Sequence, residues 1–373
     1  MAGSRPNIEA AYGDKLRPMD AFKDSAPAEL VDCVGHDDLM VLMFTSGTTG
    51  RSKAVMLSER NFFTTVECQV KFGDAMLDYK HEHMPEDKND VLSNFAILPL
   101  FHLGTFICLF VWACKGWALN LSADIRDFYR DLGLMHSDAI AVAPMLMEAI
   151  YKDVKRGRRA RLNGIWNPCG SSAMFDGAML AELARQGMMI TQVYGMTETC
   201  GDGIINYEQD EKHIRAVGKP DDHAEYKLDE TGEICIRGGC VMLGYYKDPE
   251  ATAEVLDADG WFHTGDLARV DEDGFYYITG RKKNIIILDN GENVSPEELE
   301  NLLSKCEAVK ECIVREKGKK ICAVIYCGEA DQQTVRDFIT ETNRTLPLYK
   351  RMSAVEFSTE PLPRTGTGKL LRK

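Results

Sequence analysis

The chain has 373 residues, 45% of them apolar and 27% charged, with 44 basic and 58 acidic side chains that leave a formal charge of −14. That length buries a substantial core and allows two or three domains, the composition excludes a disordered chain, and the acidic balance disfavours nonspecific binding to nucleic acid or to an anionic membrane surface. One local exception to that balance is the basic run KRGRRAR at 155–161.

The opening MAGSRPNIEAAYGDK lacks the apolar core of a signal peptide. The 12 cysteines include no CxxC pair and sit largely in apolar company, as in FICLF and KKICAVIYC. This pattern suits reduced core thiols of a cytoplasmic protein better than a disulfide framework or a zinc site. Leu39 to Phe44 reads as a strand, followed by a helix over Ser58 to Phe72 that Ser58 is placed to cap. The apolar run 95–114 is long enough to raise a transmembrane reading, but Pro99 and His102 interrupt it, and a strand, loop and helix are expected instead. Strands are expected at Val91–Leu98, Asp138–Ala143, Ile165–Cys169 and Met188–Val193, alternating with helices at PMLMEAIYKDVKR and FDGAMLAELARQG, with Pro144 in a first turn and Gly187 as a stop. That order predicts a mostly parallel α/β sheet with helices on its faces. Beyond about residue 220 the DETG and DEDG turns predict antiparallel hairpins, and from Ser295 the order helix, strand, strand, helix, strand predicts a small α+β domain. The domains are therefore expected at 1–280 and 281–373.

Between the first strand and the first helix lies TSGTTGRSK, 45–53. Strand, glycine-rich turn and helix is an arrangement that brings backbone amides to a phosphate, with hydroxyls and a lysine adding donors and charge. The glycines at 47 and 50 are three apart and Lys53 precedes Ala54, so this is not a Walker loop. Further motifs follow in order: YGMTE (194–198), GWFHTGD (260–266), YITGRKKNIIIL (277–288), NGENVSPEELE (290–300) and PRTGTGK (363–369).

Together these motifs closely resemble the acyl-adenylate-forming superfamily of acyl-CoA synthetases, luciferases and peptide-synthetase adenylation domains, over roughly residues 39–373. The resemblance implies ATP, Mg2+ and coenzyme A as partners of a carboxylic acid, in two half-reactions that pass through an acyl-adenylate. It implies that Thr45, Ser46, Gly47, Thr48, Thr49, Gly50 and Lys53 cover the ATP phosphates, and that Gly170 and Ser171 border adenine and the acyl group. Tyr194 and Gly195 would lie against adenine, Thr197 against the α-phosphate, and Glu198 would hold magnesium. Asp266 would take the ribose hydroxyls with Arg281 beside it, Lys283 would be the hinge of a mobile small domain, and Lys369 the lysine that domain inserts for adenylation. Gly291, Glu292 and Asn293 resemble the loop that enters for thioester formation. In LPLFHLGT, His102 would gate the acyl pocket together with Gly170 and Met196, and Phe101, Leu103, Phe106 and Trp166 suit a fatty or aryl acid, the GRKKN and NGENVSPEELE spellings pointing to a fatty acid. Members of the superfamily carry a longer segment before the phosphate loop, which begins here at residue 45. A short form, a fragment, or a protein completed by an oligomeric or other partner each account for this. Three functions stay open: a fatty acyl-CoA ligase, a catalytically incompetent nucleotide-binding remnant, and an acyl-AMP ligase that loads a carrier protein.

Overall fold

The computed structural model describes residues 35–45, 52–122, 124–171, 175–201, 203–288, 291–364 and 370–371, and those from Asp37 onward fall in one compact unit. β1 (Leu39–Thr45) and β2 (Lys53–Ser58) pair antiparallel with Thr45 opposite Lys53. Ser58 then caps α1 (Glu59–His83): its Oγ accepts the Asn61 N–H at 3.3 Å, and Asn61 Oδ1 accepts the Ser58 N–H at 2.8 Å. Here the structure differs from the expected strand, turn and helix. Thr45 and Lys53, at the two ends of TSGTTGRSK, are partners in antiparallel strands, because Val55 and Leu57, both 0% exposed, place KAVMLS as a half-buried strand before the helix can start.

The centre of the fold is a seven-stranded sheet. Its elements in chain order are β3 (Ser93–Ala96), α2 (Leu103–Cys114), β4 (Ala118–Leu121), α3 (Phe128–Leu134), β5 (Ala139–Val142), α4 (Pro144–Lys155), β6 (Asn167–Ser171), α5 (Gly177–Arg185), β7 (Thr191–Gly195), β8 (Gly203–Asn206) and β9 (Lys219–Pro220). The strand order is β4-β3-β5-β6-β7-β8-β9, parallel from β4 to β7 and antiparallel beyond. Alternation along β5 divides the core: Ala139 joins the apolar cluster made with α1 and α2, whereas Ile140 and Val142 join the one made with α3, α4 and α5. Successive side chains of a strand face opposite ways, so a sheet covered on both faces needs apolar residues at both phases. The apolar run 95–114 is thus one buried strand and a 12-residue helix, and no described helix is long and apolar enough to cross a membrane.

β10 (Ala224–Leu228), β11 (Glu233–Gly238), β13 (Phe262–Val270) and β14 (Tyr276–Arg281) form a four-stranded antiparallel sheet. Between them, β12 (Gly244–Tyr245) adds to β2, and the short helix α6 (Pro249–Ala253) follows. After β14 come the two-stranded β15 (Ile286–Ile287) and β16 (Asn293–Val294), then α7 (Pro296–Leu303), β17 (Glu311–Lys317), β18 (Lys320–Tyr326), α8 (Gln332–Thr345) and β19 (Ala354–Ser358). These elements share their own apolar cluster, in which Leu299 and Leu303 of α7 and Val335 and Ile339 of α8 cover the sheet β17-β18-β19.

A buried carboxylate fastens the start of the parallel strands. Asp138 Oδ2 accepts both the Ser93 N–H and the Ser93 hydroxyl at 2.8 Å, and Oδ1 accepts Trp166 Nε1–H at 3.1 Å. Asp138→Ala leaves these donors unpaired, and denaturant unfolding is expected to show a loss of roughly 3 kcal/mol. A variant as stable as the parent would show that solvent replaces the carboxylate.

Candidate active site

Ligands of open α/β sheets bind at the carboxyl ends of the strands where the strand order or direction switches. Here β7 pairs parallel with β6 on one side and antiparallel with β8 on the other. The switch requires a close approach: a Cβ on Gly203 would lie 2.0 Å from the Tyr194 carbonyl oxygen. β7 ends in Tyr194 and Gly195, and the chain turns through Thr197–Thr199 before Cys200 adopts a left-handed φ of 55°. At the end of β6, a Cβ on Gly170 would meet the Phe175 ring at 2.4 Å.

Across from Tyr194 stand Asp266 and Arg281, opposite each other in the β13–β14 register. Asp266 is 4% exposed. Its Oδ1 lies 2.7 Å from Arg281 Nε, and its Oδ2 accepts the Tyr194 hydroxyl at 3.2 Å. Burial, followed by the Asp266 charge, pushes the Tyr194 phenol well above its ordinary pKa, so it remains a donor at neutral pH. The expected adenine platform and the expected ribose acid are therefore already joined by a hydrogen bond.

The turn that presents Asp266 is held from behind by Glu233, a residue the sequence reading missed. Glu233 is 3% exposed; its Oε1 accepts the Gly265 N–H at 2.7 Å and its Oε2 accepts from Lys282 Nζ at 2.7 Å. The same hydrogen bond raises the Lys282 pKa and keeps the ammonium charged. In GEICIRGG nothing marks this carboxylate except its place at the start of an otherwise apolar strand. A cavity of about 330 Å³ is lined by Thr264, Gly265, Arg281, Lys282 and Lys283, with Arg281 and Lys282 already paired to Asp266 and Glu233. Lys283 lies in the 3₁₀ turn Lys282–Asn284 that directly follows β14.

A third group gathers around the Thr197–Thr199 turn. Glu198 Oε1 accepts the Tyr245 hydroxyl at 2.9 Å, and Lys53 Nζ lies 4.4 Å from the centroid of the Tyr245 ring. Lys53, Glu198, Tyr194, Asp266 and Arg281 are thus linked through β7 and its following turn. Met196 packs against the core cluster beside α1 and α2. His102 stands at the exposed start of α2 with its ring 4.7 Å from that of Phe101, which is 72% exposed. Leu103 and Trp166 differ from the expected pocket wall. Both are core residues, and Trp166 is held by Asp138. Ser46, Gly47, Thr48, Thr49, Gly50 and Lys369 lie outside the described residues, and Ser171 is described by its backbone alone.

A family model described as AMP-binding enzyme matches residues 6–246, and one described as AMP-binding enzyme C-terminal domain matches residues 298–369. The chain belongs to the AMP-binding enzyme family. Its similar relatives include 4-coumarate–CoA ligase 3 of Oryza sativa subsp. japonica, 30% identical over 94% of this chain and 66% of the relative. A long-chain-fatty-acid–CoA ligase of Salmonella typhimurium is 30% identical over 90% of this chain and 61% of the relative. Among solved structures, o-succinylbenzoate coenzyme A synthetase (MenE) from Bacillus subtilis in complex with ATP and magnesium ion superimposes with a TM-score of 0.74, at 25% identity over 95% of this chain and 73% of that one. The chain spans less than two thirds of the length of these two relatives.

The groups gathered at this site fit a magnesium nucleotide. Glu198 offers a second carboxylate oxygen that no described residue hydrogen-bonds, a hard oxygen donor of the kind Mg2+ takes. Asp266 offers acceptors for hydroxyls, and Lys53, Arg281, Lys282 and Lys283 offer N–H donors. Glu233→Ala, which frees both the Gly265 turn and Lys282, is expected to weaken AMP binding about tenfold in a calorimetric titration, and Glu233→Gln, which keeps an acceptor for Gly265, is expected to weaken it less. Equal binding by both variants and the parent would remove Glu233 from the site.

Proposed function

We propose that the chain activates a carboxylic acid with Mg2+ and ATP to an acyl-adenylate, releasing pyrophosphate, and then passes the acyl group to coenzyme A. The observation that carries this reading is the cluster of Tyr194, Asp266 and Arg281 beside Glu198 and Lys53, at the point where the parallel strands give way to antiparallel ones. In the first half-reaction a carboxylate oxygen bonds to the α-phosphorus as the bond to pyrophosphate breaks. In the second, the thiol sulfur bonds to the acyl carbon, AMP leaves and the thiol proton is lost. Bound magnesium would neutralise phosphate charge as that charge shifts to pyrophosphate. The protein's part is to hold and to screen. Asp266 accepts from the ribose hydroxyls, the Tyr194 ring borders adenine, Thr197 donates to the α-phosphate, and Lys53 and Lys369 offset the repulsion between two anions. The carboxylic acid needs no general base, because it is already ionised at neutral pH.

The substrate proposed is a fatty acid. One relative carries a long-chain fatty acid in its name and another an aryl acid, 4-coumarate, so an aryl acid is the natural competitor. We place the domain boundary at 280–281 with Lys283 as hinge; the separate apolar cluster of α7, α8 and β17 to β19 supports that division. The described cysteines are all free thiols, which supports a cytoplasmic setting.

Carboxylate-dependent exchange of pyrophosphate into ATP, measured across short, medium and long fatty acids and several aryl acids, tests the reading. Exchange with one acid class is expected, with a loss of about 10²-fold or more in Lys369→Ala. Folded protein that exchanges with no acid, or a Lys369→Ala variant as active as the parent, would contradict it.

A further inference from the structure

Residues 242–246 run between β2 and the Thr197–Thr199 turn and are tied to both. The Met242 N–H donates to the Glu198 carbonyl at 2.9 Å, Leu243 N–H to Met56 O at 2.9 Å, and Tyr246 N–H to Ala54 O at 2.8 Å. The Tyr245 N–H itself donates to Thr252 Oγ1 at 2.9 Å, and 6% of the residue is exposed. Its backbone is therefore fixed before its side chain makes any contact.

That side chain meets two opposite charges in two different ways. The hydroxyl donates to Glu198 Oε1 at 2.9 Å, and the ring face takes Lys53 Nζ at 4.4 Å from its centroid. Glu198 and Lys53 approach the same phenol, yet among the described residues they make no ion pair with each other. A direct ion pair would quench both charges. A cation on a ring face keeps its full charge, and a carboxylate that accepts one phenolic hydrogen bond keeps its negative charge and its other oxygen. The hydrogen bond also selects which oxygen is turned away.

We propose that Tyr245 is a positioning residue that keeps Glu198 and Lys53 close but unquenched, so that the carboxylate is available to Mg2+ and the ammonium to the phosphates of ATP. This rests on the adenylation reading above and adds to it a residue that orders the metal ligand and the phosphate cation together. A tyrosine needed only for packing would influence stability and leave metal affinity unchanged.

The full chain carrying Tyr245→Phe, which keeps the ring under Lys53 and removes the hydroxyl, separates these roles. Mn2+ binding in the presence of ATP, followed by electron paramagnetic resonance, is expected to weaken about tenfold in Tyr245→Phe, while ATP binding without metal stays at the parental level. Tyr245→Leu, which also removes the ring face, is expected to weaken metal-free ATP binding to the level of Lys53→Ala. Tyr245→Phe with parental Mn2+ affinity would overturn the proposal, and so would lowered thermal stability in both variants with intact metal and nucleotide binding. Parent protein that holds no Mn2+ with ATP would overturn the nucleotide reading itself, an outcome distinct from the first.

Discussion

One buried carboxylate joins the two sheet systems on which the site depends. Asp266 belongs to the antiparallel sheet, and it is met there by Arg281 from the neighbouring strand and by the Tyr194 hydroxyl from the end of the parallel sheet. A carboxylate so little exposed is tolerated because each oxygen has a donor. The constraint works in both directions. Loss of the Tyr194 hydroxyl removes one of the donors to Asp266 Oδ2, and the turn carrying Asp266 cannot relax while Glu233 holds Gly265 and Lys282. The crevice between the sheets is thereby preset with an acid, an aromatic ring and cations before any ligand arrives, which lowers the ordering cost of binding.

Charge distribution supports the same picture. The chain is strongly acidic overall, with a formal charge of −14, yet three basic side chains, Arg281, Lys282 and Lys283, line one cavity, two of them paired there with Asp266 and Glu233. A guanidinium or an ammonium paired with a carboxylate still carries further N–H donors for a small anion. The basic run 155–161 lies on the surface, with two of its arginines tied to neighbouring groups. Arg161 pairs with Asp153 at 3.0 Å and lies over the Tyr129 ring, and Arg159 donates to the Gly187 carbonyl at 3.2 Å.

The long, strongly patterned elements were legible in the sequence. Pro144 opens α4, Ser58 caps α1, Gly187 takes a φ of 73° just beyond α5, and the DETG and DEDG turns close hairpins. Short elements escaped the reading: β4 and β9 have few residues and no clear alternation, and β8 is defined by its partner strands, not by its own pattern. The phosphate-loop hairpin was misread because KAVMLS carries both a strand period and, at its end, a helix cap. For the site, ordered motifs indicated Lys53, Tyr194, Glu198, Asp266 and Arg281, since their residue types and order were informative together. Glu233 and Tyr245 gave no such signal. Each acts by touching two groups that are distant in sequence, and that kind of information appears only once the strands are paired. Trp166 shows the converse error, an apolar residue near the motifs that serves the core.

The most direct test compares AMP with its dideoxy analogue, which lacks both ribose hydroxyls, by calorimetric titration of the parent and of Asp266→Ala. If Asp266 is the ribose acid of a preset nucleotide site, the parent should prefer AMP by about tenfold or more and the variant should bind both ligands alike. A parent that does not distinguish them, or a variant that keeps the parental preference, would contradict the account.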